Sequence, residues 1–244
     1  MVSFLLEETN GTYGFIGIKR VSGQMCGRFT LTVELDVLFE RFKNAYDTDL
    51  WMPPSFNIAP THKVLAVIQG EKGNKFGQLQ WGLVPSWAKN ASIGANMINA
   101  RSETLHEKAS FKSLIHRQRC LVVADSFYEW KREGSIKQPY RIQLKDEEPF
   151  AFAGLWSVWK TGAQNLATCT IITTSSNDLM ASLHERMPVI LRPEDERKWL
   201  NPSFPFLDVQ PLLKPYPDED IKLYPVSPKV NSPKANEPGL IKAI

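Results

Sequence analysis

A glutamate at the end of an apolar run could transfer protons. Glu129 stands between Tyr128 and Trp130, where burial can raise the pKa of a carboxyl group and let it act as a general acid or base. The alternative is a glutamate on an edge strand, paired with Lys131 or Arg132. The surroundings of Glu129 favour acid-base chemistry.

A histidine in an irregular segment is a second candidate for proton transfer. His184 precedes Glu185-Arg186-Met187-Pro188, a stretch too irregular for the interior of a helix. Because imidazole titrates near neutral pH, His184 could exchange a proton with an amine or a sugar hydroxyl. A structural histidine with satisfied hydrogen bonds is the alternative.

Polar and aromatic residues that could bind a nucleic acid accompany these two. Asn99 offers a paired donor and acceptor, and Arg101 and Arg28 could each hold a phosphate. Asn99 and Arg101 lie on one face if their segment is extended. The indole rings of Trp81, Trp87 and Trp130 are candidates to stack on bases or close a pocket, and we expect at least one of them to be a core residue.

The cysteines indicate a reducing compartment. There are three, Cys26, Cys120 and Cys169, and an odd number placed far apart does not suit a disulfide framework. Cys120 and Cys169 lie in apolar or threonine-rich runs, so we expect them to be buried packing residues. The sequence has no Cys-x-x-Cys, His-Glu-x-x-His, phosphate-loop or dinucleotide-binding glycine pattern, and we predict neither a metal nor a cofactor.

The elements that must position these residues are mostly short strands. Turn signals such as Gly70-Glu71-Lys72-Gly73-Asn74 separate them, as hairpin connections would. Helices are predicted over Thr32 to Tyr46, Phe111 to His116 and Pro193 to Leu200, and the proline-rich segment from Pro202 onward should lie extended over the surface. Strands are predicted at Lys63 to Gln69, Phe76 to Gly82, Cys120 to Tyr128, Pro139 to Leu144, Phe150 to Trp156 and Ala167 to Thr174. The pattern predicts one α+β domain with a mainly antiparallel, barrel-like sheet and flanking helices.

Composition limits the classes of function. The 244 residues are 43% hydrophobic and carry a net charge of +3, which permits a polyanionic partner without requiring one. No apolar stretch approaches the ~18 to 20 residues of a membrane span, and acids at Glu7 and Glu8 interrupt any signal-peptide core. We expect a cytosolic monomer, associated with the nucleoid when it binds DNA.

Six short motifs, in order along the chain, resemble the signatures of the SOS-response-associated peptidase (SRAP) family. The resemblance extends from Met25 to the C-terminus and includes Pro225-Val226-Ser227 and Val230-Asn231. The motifs are Met25-Cys26-Gly27-Arg28-Phe29, Phe56-Asn57-Ile58-Ala59-Pro60-Thr61, Trp81-Gly82-Leu83-Val84-Pro85, Asn99-Ala100-Arg101-Ser102-Glu103-Thr104, Phe127-Tyr128-Glu129-Trp130 and His184-Glu185-Arg186-Met187-Pro188-Val189.

The resemblance implies that Cys26 becomes the first residue and captures abasic sites in single-stranded DNA as a thiazolidine. It also implies that Glu129 opens the sugar ring and shuttles protons, and that His184 transfers a proton at the site. Asn99 could orient the amine of Cys26, and Pro60 could act as a wedge beside the lesion. A lyase-like incision is a further expected side reaction.

The covalent chemistry can be checked on its own terms. An α-amine has a pKa of about 7.8 and a lysine amine about 10.4, so at neutral pH the α-amine is roughly 400 times more often the unprotonated nucleophile. It is therefore the natural group to form a Schiff base. The neighbouring thiol can add to that imine within a five-membered ring, which requires Cys26 to carry a free amine.

The 24 residues before Met25 depart from the family pattern. One interpretation is that translation starts at Met25, since Lys19-Arg20-Val21-Ser22 can be encoded by a purine-rich stretch that resembles a bacterial ribosome-binding site. The other is a leader over residues 1–24, removed autocatalytically from a domain over residues 25–244. We favour the first.

Two other classes of function compete with DNA capture. One is a cysteine hydrolase acting on peptides, with the Cys26 thiolate, His184 as base and Asn99 as orienting residue. The other is a passive module that binds single-stranded DNA.

Overall fold

A computed structural model describes residues 27–43, 45–46, 52–161 and 164–244. Within these ranges the helices are α1 Leu35–Arg41, α2 Leu114–Arg117, α3 Asp178–Ala181, α4 Pro193–Leu200 and α5 Phe206–Val209. The strands are β1 Phe29–Leu31, β2 Ala45–Tyr46, β3 Ser55–Ile58, β4 Lys63–Gly70, β5 Gly73–Trp81, β6 Asn99–Arg101, β7 Arg119–Ala124, β8 Ser126–Glu133, β9 Ile136–Leu144, β10 Phe150–Thr161, β11 Gln164–Ser175, β12 Arg186–Pro188, β13 Ile190–Leu191 and β14 Ile221–Pro225.

Five long strands close into a barrel in the order β11, β10, β7, β4, β5. The pairs along this order are antiparallel, and a parallel pairing of β5 with β11, through Gln80↔Thr168 and Trp81↔Cys169, completes the ring. Strands β2, β6, β12 and β13 extend it at the edges. The predicted α+β class with a mainly antiparallel, barrel-like sheet is confirmed.

A second, antiparallel sheet has the order β14, β9, β8, β1, β3. The chain passes from the barrel into this sheet at Asp125, between β7 and β8. The buried carboxylate of Asp125 accepts hydrogen bonds from the hydroxyl groups of Thr30 and Thr32. The prediction of one strand from Cys120 to Tyr128 is therefore wrong, because this turn divides the run between two sheets.

Aromatic side chains fill the space between the barrel and the second sheet. The Phe152 ring on β10 makes edge contacts with the Phe29 ring on β1 at 5.8 Å and the Phe127 ring on β8 at 5.9 Å. All three are buried, and each such side chain stabilises the fold by about 1.5–3 kcal/mol. This packing fixes β1 and β8 against the barrel.

The predicted helices are confirmed to different degrees. Helix α4 has the predicted bounds, with a proline in its first turn and acids behind it. Helix α1 is shorter than predicted because the chain turns after Phe42 and Ala45–Tyr46 pairs with β5. The second predicted helix is a single turn, α2. No described helix is long and apolar enough to cross a membrane.

The C-terminal residues are more ordered than an extended surface segment. Strand β14 pairs with β9, and residues 226–241 then run back across β3 and β8. We call residues 226–241 the strap. A small apolar cluster buries three side chains of the strap against Tyr128, namely those of Val226, Val230 and Leu240.

Candidate active site

The pairing of β1 with β8 places the start of the described chain near Glu129. Cys26 itself lies outside the described residues, but Arg28 and Gly27 follow it at once. Phe29 pairs with Phe127, and the amide of Tyr128 donates to the carbonyl of Arg28 at 3.0 Å. Continued by two residues, this antiparallel register places Gly27 opposite Glu129. The residue that follows Cys26 therefore lies beside a carboxyl group.

Glu129 is a deeply buried carboxylic acid. It lies in the middle of β8, next to half-buried Trp130. The residue is only 4% exposed, and Oε1 accepts from the amide of Trp130 at 3.1 Å. The alternative of an exposed edge-strand pair with Lys131 or Arg132 does not fit this burial, and Lys131 pairs instead with Glu133.

The guanidinium group of Arg28 is bound by other residues of the protein. Its guanidinium donates to the Oδ1 of Asn57 at 2.9 Å, to the Val230 carbonyl at 2.7 Å and to the Asn231 carbonyl at 3.3 Å. Burial lowers the pKa of Arg28. These contacts anchor the start of β1 to the strap, and a phosphate contact by Arg28 stays a prediction.

Asn57 is the centre of that anchor, and the sequence analysis assigned it no role. It is 2% exposed, and its amide nitrogen donates to the carbonyls of Val230, Ser232 and Ala235 at 3.3, 3.0 and 2.9 Å. These three carbonyls lie more than 170 positions away along the chain. Only its presence in the second motif signalled its importance.

Trp130 has a fixed ring at the edge of this region. Its indole N–H donates to Oδ1 of Asn231 at 2.7 Å, and the Nζ of Lys137 lies 5.3 Å from the centre of the ring. Stacking of this half-buried ring on a base stays a prediction.

Asn99 and Arg101 lie on β6, which runs parallel to β11 with Asn99 opposite Ile171. Ala100 between them is buried, Asn99 is half-buried and Arg101 is exposed. The burial pattern confirms that Asn99 and Arg101 lie on the same face of the extended segment.

His184 precedes β12 and has a defined tautomer. Its Nδ1 accepts from the amide of Arg186 at 3.0 Å, so the neutral ring carries its proton on Nε2. Arg186 in turn makes two hydrogen bonds to the carboxylate of Glu103, at 2.5 and 2.9 Å. This ion pair ties the segment that carries His184 to the segment that follows Arg101.

Trp81 is not a base-stacking surface, which corrects that prediction. The side chain is fully buried, the ring contacts Phe29 edge-on at 5.1 Å, and the indole N–H donates to the Ile98 carbonyl at 2.9 Å. Phe29 follows Arg28 and Ile98 precedes Asn99. Trp81 therefore connects β1 to the segment that leads into β6 through contacts in the core.

The remaining candidates occupy loops. Pro60 is half-buried in the turn after β3, where Thr61 adopts a φ of 74° and donates its amide to the Trp81 carbonyl at 2.8 Å. Trp87 is 60% exposed and has a ring free to stack. Cys120 and Cys169 are buried as predicted, and burial raises the pKa of both thiols.

Metal-binding geometry is missing from the part of the chain that the structure describes. No group of three or more histidine, cysteine, aspartate or glutamate side chains there is arranged to hold an ion. The described site residues could instead donate, accept and shuttle protons around an incoming ligand.

Comparison with known proteins identifies close relatives. The family model for SOS response associated peptidase (SRAP) matches residues 25–233. The abasic site processing protein YoqW of Bacillus subtilis is 50% identical over 227 residues, covering 90% of this chain and all of the relative. YoaM of the same organism, with the same descriptive name, is 47% identical over 90% of this chain and 98% of its own length. A crystal structure of a Bacteroides thetaiotaomicron protein superimposes with a TM-score of 0.81 at 27% identity, covering 90% of this chain and all of that protein.

Proposed function

This chain belongs to the SOS response associated peptidase family, and from that premise we propose that it captures abasic sites in single-stranded DNA through Cys26. Relatives at 50% and 47% identity are named abasic site processing proteins. The observation that carries the proposal is the register of β1 against β8, which, continued by two residues, brings Gly27, the residue after Cys26, opposite buried Glu129.

The proposed reaction joins the cysteine to the open-chain aldehyde of the abasic sugar. The α-amine attacks the aldehyde carbon, and the carbinolamine loses water to give an imine. The thiol sulfur then adds to the imine carbon while its proton passes to the nitrogen. A C–N and a C–S bond replace the C=O bond, water leaves, and the product is a five-membered thiazolidine.

Side chains on both halves of the site would assist. The Glu129 carboxyl would protonate the departing hydroxyl group and accept the thiol proton. The His184 Nε2–H would donate to the sugar or the carbinolamine, Asn99 would orient the amine, and Arg101 would hold a flanking phosphate. Schiff-base chemistry also allows strand incision as a side reaction.

A free amine on Cys26 is the chemical requirement of this mechanism. We propose that the working protein begins at Cys26, either because translation starts at Met25 and this methionine is then removed, or because the leader over residues 1–24 and Met25 are both removed. The start of the family match at residue 25 supports this. The intact mass of the natively expressed protein tests it, and active protein that retains Met1 would overturn the proposal.

The decisive experiment uses single-stranded DNA with one abasic site and a denaturing gel. We expect a stable adduct with the native protein, none with Cys26→Ala, and none when the α-amine is acetylated. Cys26→Ala and Cys26→Ser both keep the α-amine, so each should give an adduct only when borohydride reduces the imine. A stable adduct from acetylated protein would refute the mechanism.

The rival cysteine hydrolase makes different demands on His184. To act as the base, His184 must accept the thiol proton through an unprotonated ring nitrogen, whereas Nδ1 already accepts from the Arg186 amide. Neutral His184 is therefore a donor through Nε2. A hydrolase would also tolerate an acetylated amine, and a passive binding module would give no adduct.

A further inference from the structure

The β8–β9 hairpin projects beyond the candidate site as a two-sided ribbon. Arg132 pairs with Lys137 and Trp130 with Pro139 across the two strands. Gly134 begins the two-residue turn with a φ of 60°, a conformation that glycine adopts without strain. Because side chains alternate, Trp130, Arg132 and Lys137 share one face of the ribbon. We call this the Trp130 face.

The opposite face carries a neutralised charge. Lys131 and Glu133 point to that side, and their charged groups lie 2.6 Å apart. Directly opposed residues share a face, so the exposed Ile136 across from Glu133 also lies there. Lys131 therefore adds little net positive charge to this opposite face.

The Trp130 face carries cations without acidic partners. Arg132 and Lys137 are exposed, and within the described ranges no carboxylate forms a salt bridge with either. Lys137 lies over the Trp130 ring, and Asn231 fixes the indole from its edge. The surface thus combines two cations with one immobilised aromatic ring.

This surface begins at Trp130, the residue after Glu129 on β8. The Glu129 side chain points to the other face and into the molecule, and the β1 register continued by two residues brings Gly27 opposite it. A strand with its damaged nucleotide beside Glu129 would run along the hairpin in one direction. Two cations and an aromatic ring at that position match alternating phosphates and bases.

We infer that the Trp130 face binds the phosphodiester backbone of the single-stranded DNA that flanks the captured nucleotide, with Arg132 and Lys137 on phosphates and Trp130 under a base. The inference rests on the proposed function, because that function names DNA as the ligand. It adds a docking surface outside the reacting centre.

The test measures how salt weakens binding to an undamaged single-stranded oligonucleotide, by fluorescence anisotropy. Each phosphate contact adds about 0.7 to the slope of log affinity against log salt concentration. Arg132→Ala with Lys137→Ala should lower that slope by about 1.4, so a fourfold rise in salt weakens the double variant about sevenfold less than the native protein.

Lys131→Ala is the matched control, since it removes one positive charge from the same hairpin on the other face. Arg132→Ala alone should lower the slope by about 0.7, and Lys131→Ala should leave it unchanged. Equal effects of these two single variants, or an unchanged slope in the double variant, would overturn the inference. Competition by oligoglutamate as effective as that by DNA would also overturn it, because the surface would then bind acidic peptides without regard to bases.

Adduct formation separates this inference from the proposed function. At saturating protein in low salt, the double variant should still give the Cys26-dependent adduct with abasic DNA. If the native protein gives no adduct, the proposed chemistry fails, while the salt slopes on undamaged DNA still decide the role of the hairpin.

Discussion

Replacement of Asn57 by alanine tests whether polar contacts hold the strap over the candidate site. The substitution removes the hydrogen-bond donor to the Ser232 and Ala235 carbonyls and one acceptor for Arg28. Val230 keeps its bond from Arg28 at 2.7 Å. The Ser232 carbonyl keeps the Ala235 amide as a donor at 3.1 Å, so the partly buried Ala235 carbonyl is the one that loses its donor, at about 1–3 kcal/mol.

The expected loss is about 1 to 3 kcal/mol of unfolding free energy, or roughly 2 to 12 °C in melting temperature for a domain of this size. Thermal and urea unfolding followed by tryptophan fluorescence would measure it. The Trp130 indole bonds directly to the strap residue Asn231, so its emission also reports local release. Slower adduct formation should accompany the loss, because the start of β1 loses its anchor.

Asn57→Asp provides the discriminating comparison. It keeps an acceptor for Arg28 but places a carboxylate against carbonyl oxygens that need a donor, so it should destabilise at least as much as alanine. Native stability in the aspartate variant would show that only the Arg28 contact matters. A loss below about 1 kcal/mol in Asn57→Ala would mean that the apolar cluster under the strap holds it alone, and the reasoning would be refuted.

Three further predictions concern thiols, pH and backbone. Burial raises the pKa of the Cys120 and Cys169 thiols, so both should resist alkylation in the native protein and react in denaturant, as peptide mass mapping would show. Burial alone would raise the pKa of Glu103, but its hydrogen bonds, chiefly from Arg186, and the Arg186 charge together lower it. This pair therefore stabilises the fold above the unfolded carboxylate pKa and ceases to do so as pH falls through the lowered value. As the pH is lowered from about 5 to about 3, the melting temperature of Glu103→Gln should accordingly fall less than that of the native protein. An identical fall in both proteins would show that this pair does not cause the pH dependence. Gly82 has a φ of 124°, and a Cβ there would lie 2.6 Å from a backbone oxygen, so Gly82→Ala should reduce the unfolding free energy by roughly 2 kcal/mol or more; near-native stability in urea would contradict this strain.

Local signals allowed parts of the fold to be predicted. Helix α4 follows from its first-turn proline and the acids behind it, which act within one turn of backbone. The run from Cys120 to Tyr128 contains no such signal at Asp125. The break arises because the Asp125 carboxylate is satisfied by Thr30 and Thr32, about 95 positions earlier in the chain.

At the candidate site, too, residue types could be interpreted from the sequence, whereas contacts between distant residues could not. The residue types of Glu129 and His184 indicated proton transfer before any fold was known. The base-stacking interpretation of Trp81 was wrong because tertiary packing buries that ring under Phe29. Asn57 was missed because a buried asparagine has no sequence signature until its distant carbonyl partners are known.

A nucleophile at the first position of a chain has no preceding residue to hold it, so later residues must position it. Here β1 is only three residues long, yet it pairs with β3 on one side and β8 on the other. Arg28 adds hydrogen bonds to Asn57 and to the strap. A three-residue strand would be marginal alone, and these contacts from both ends of the chain make its direction fixed. For the proposed capture through Cys26, the contacts of the strap would support the start of β1, and loosening the strap should slow capture more than it weakens DNA affinity.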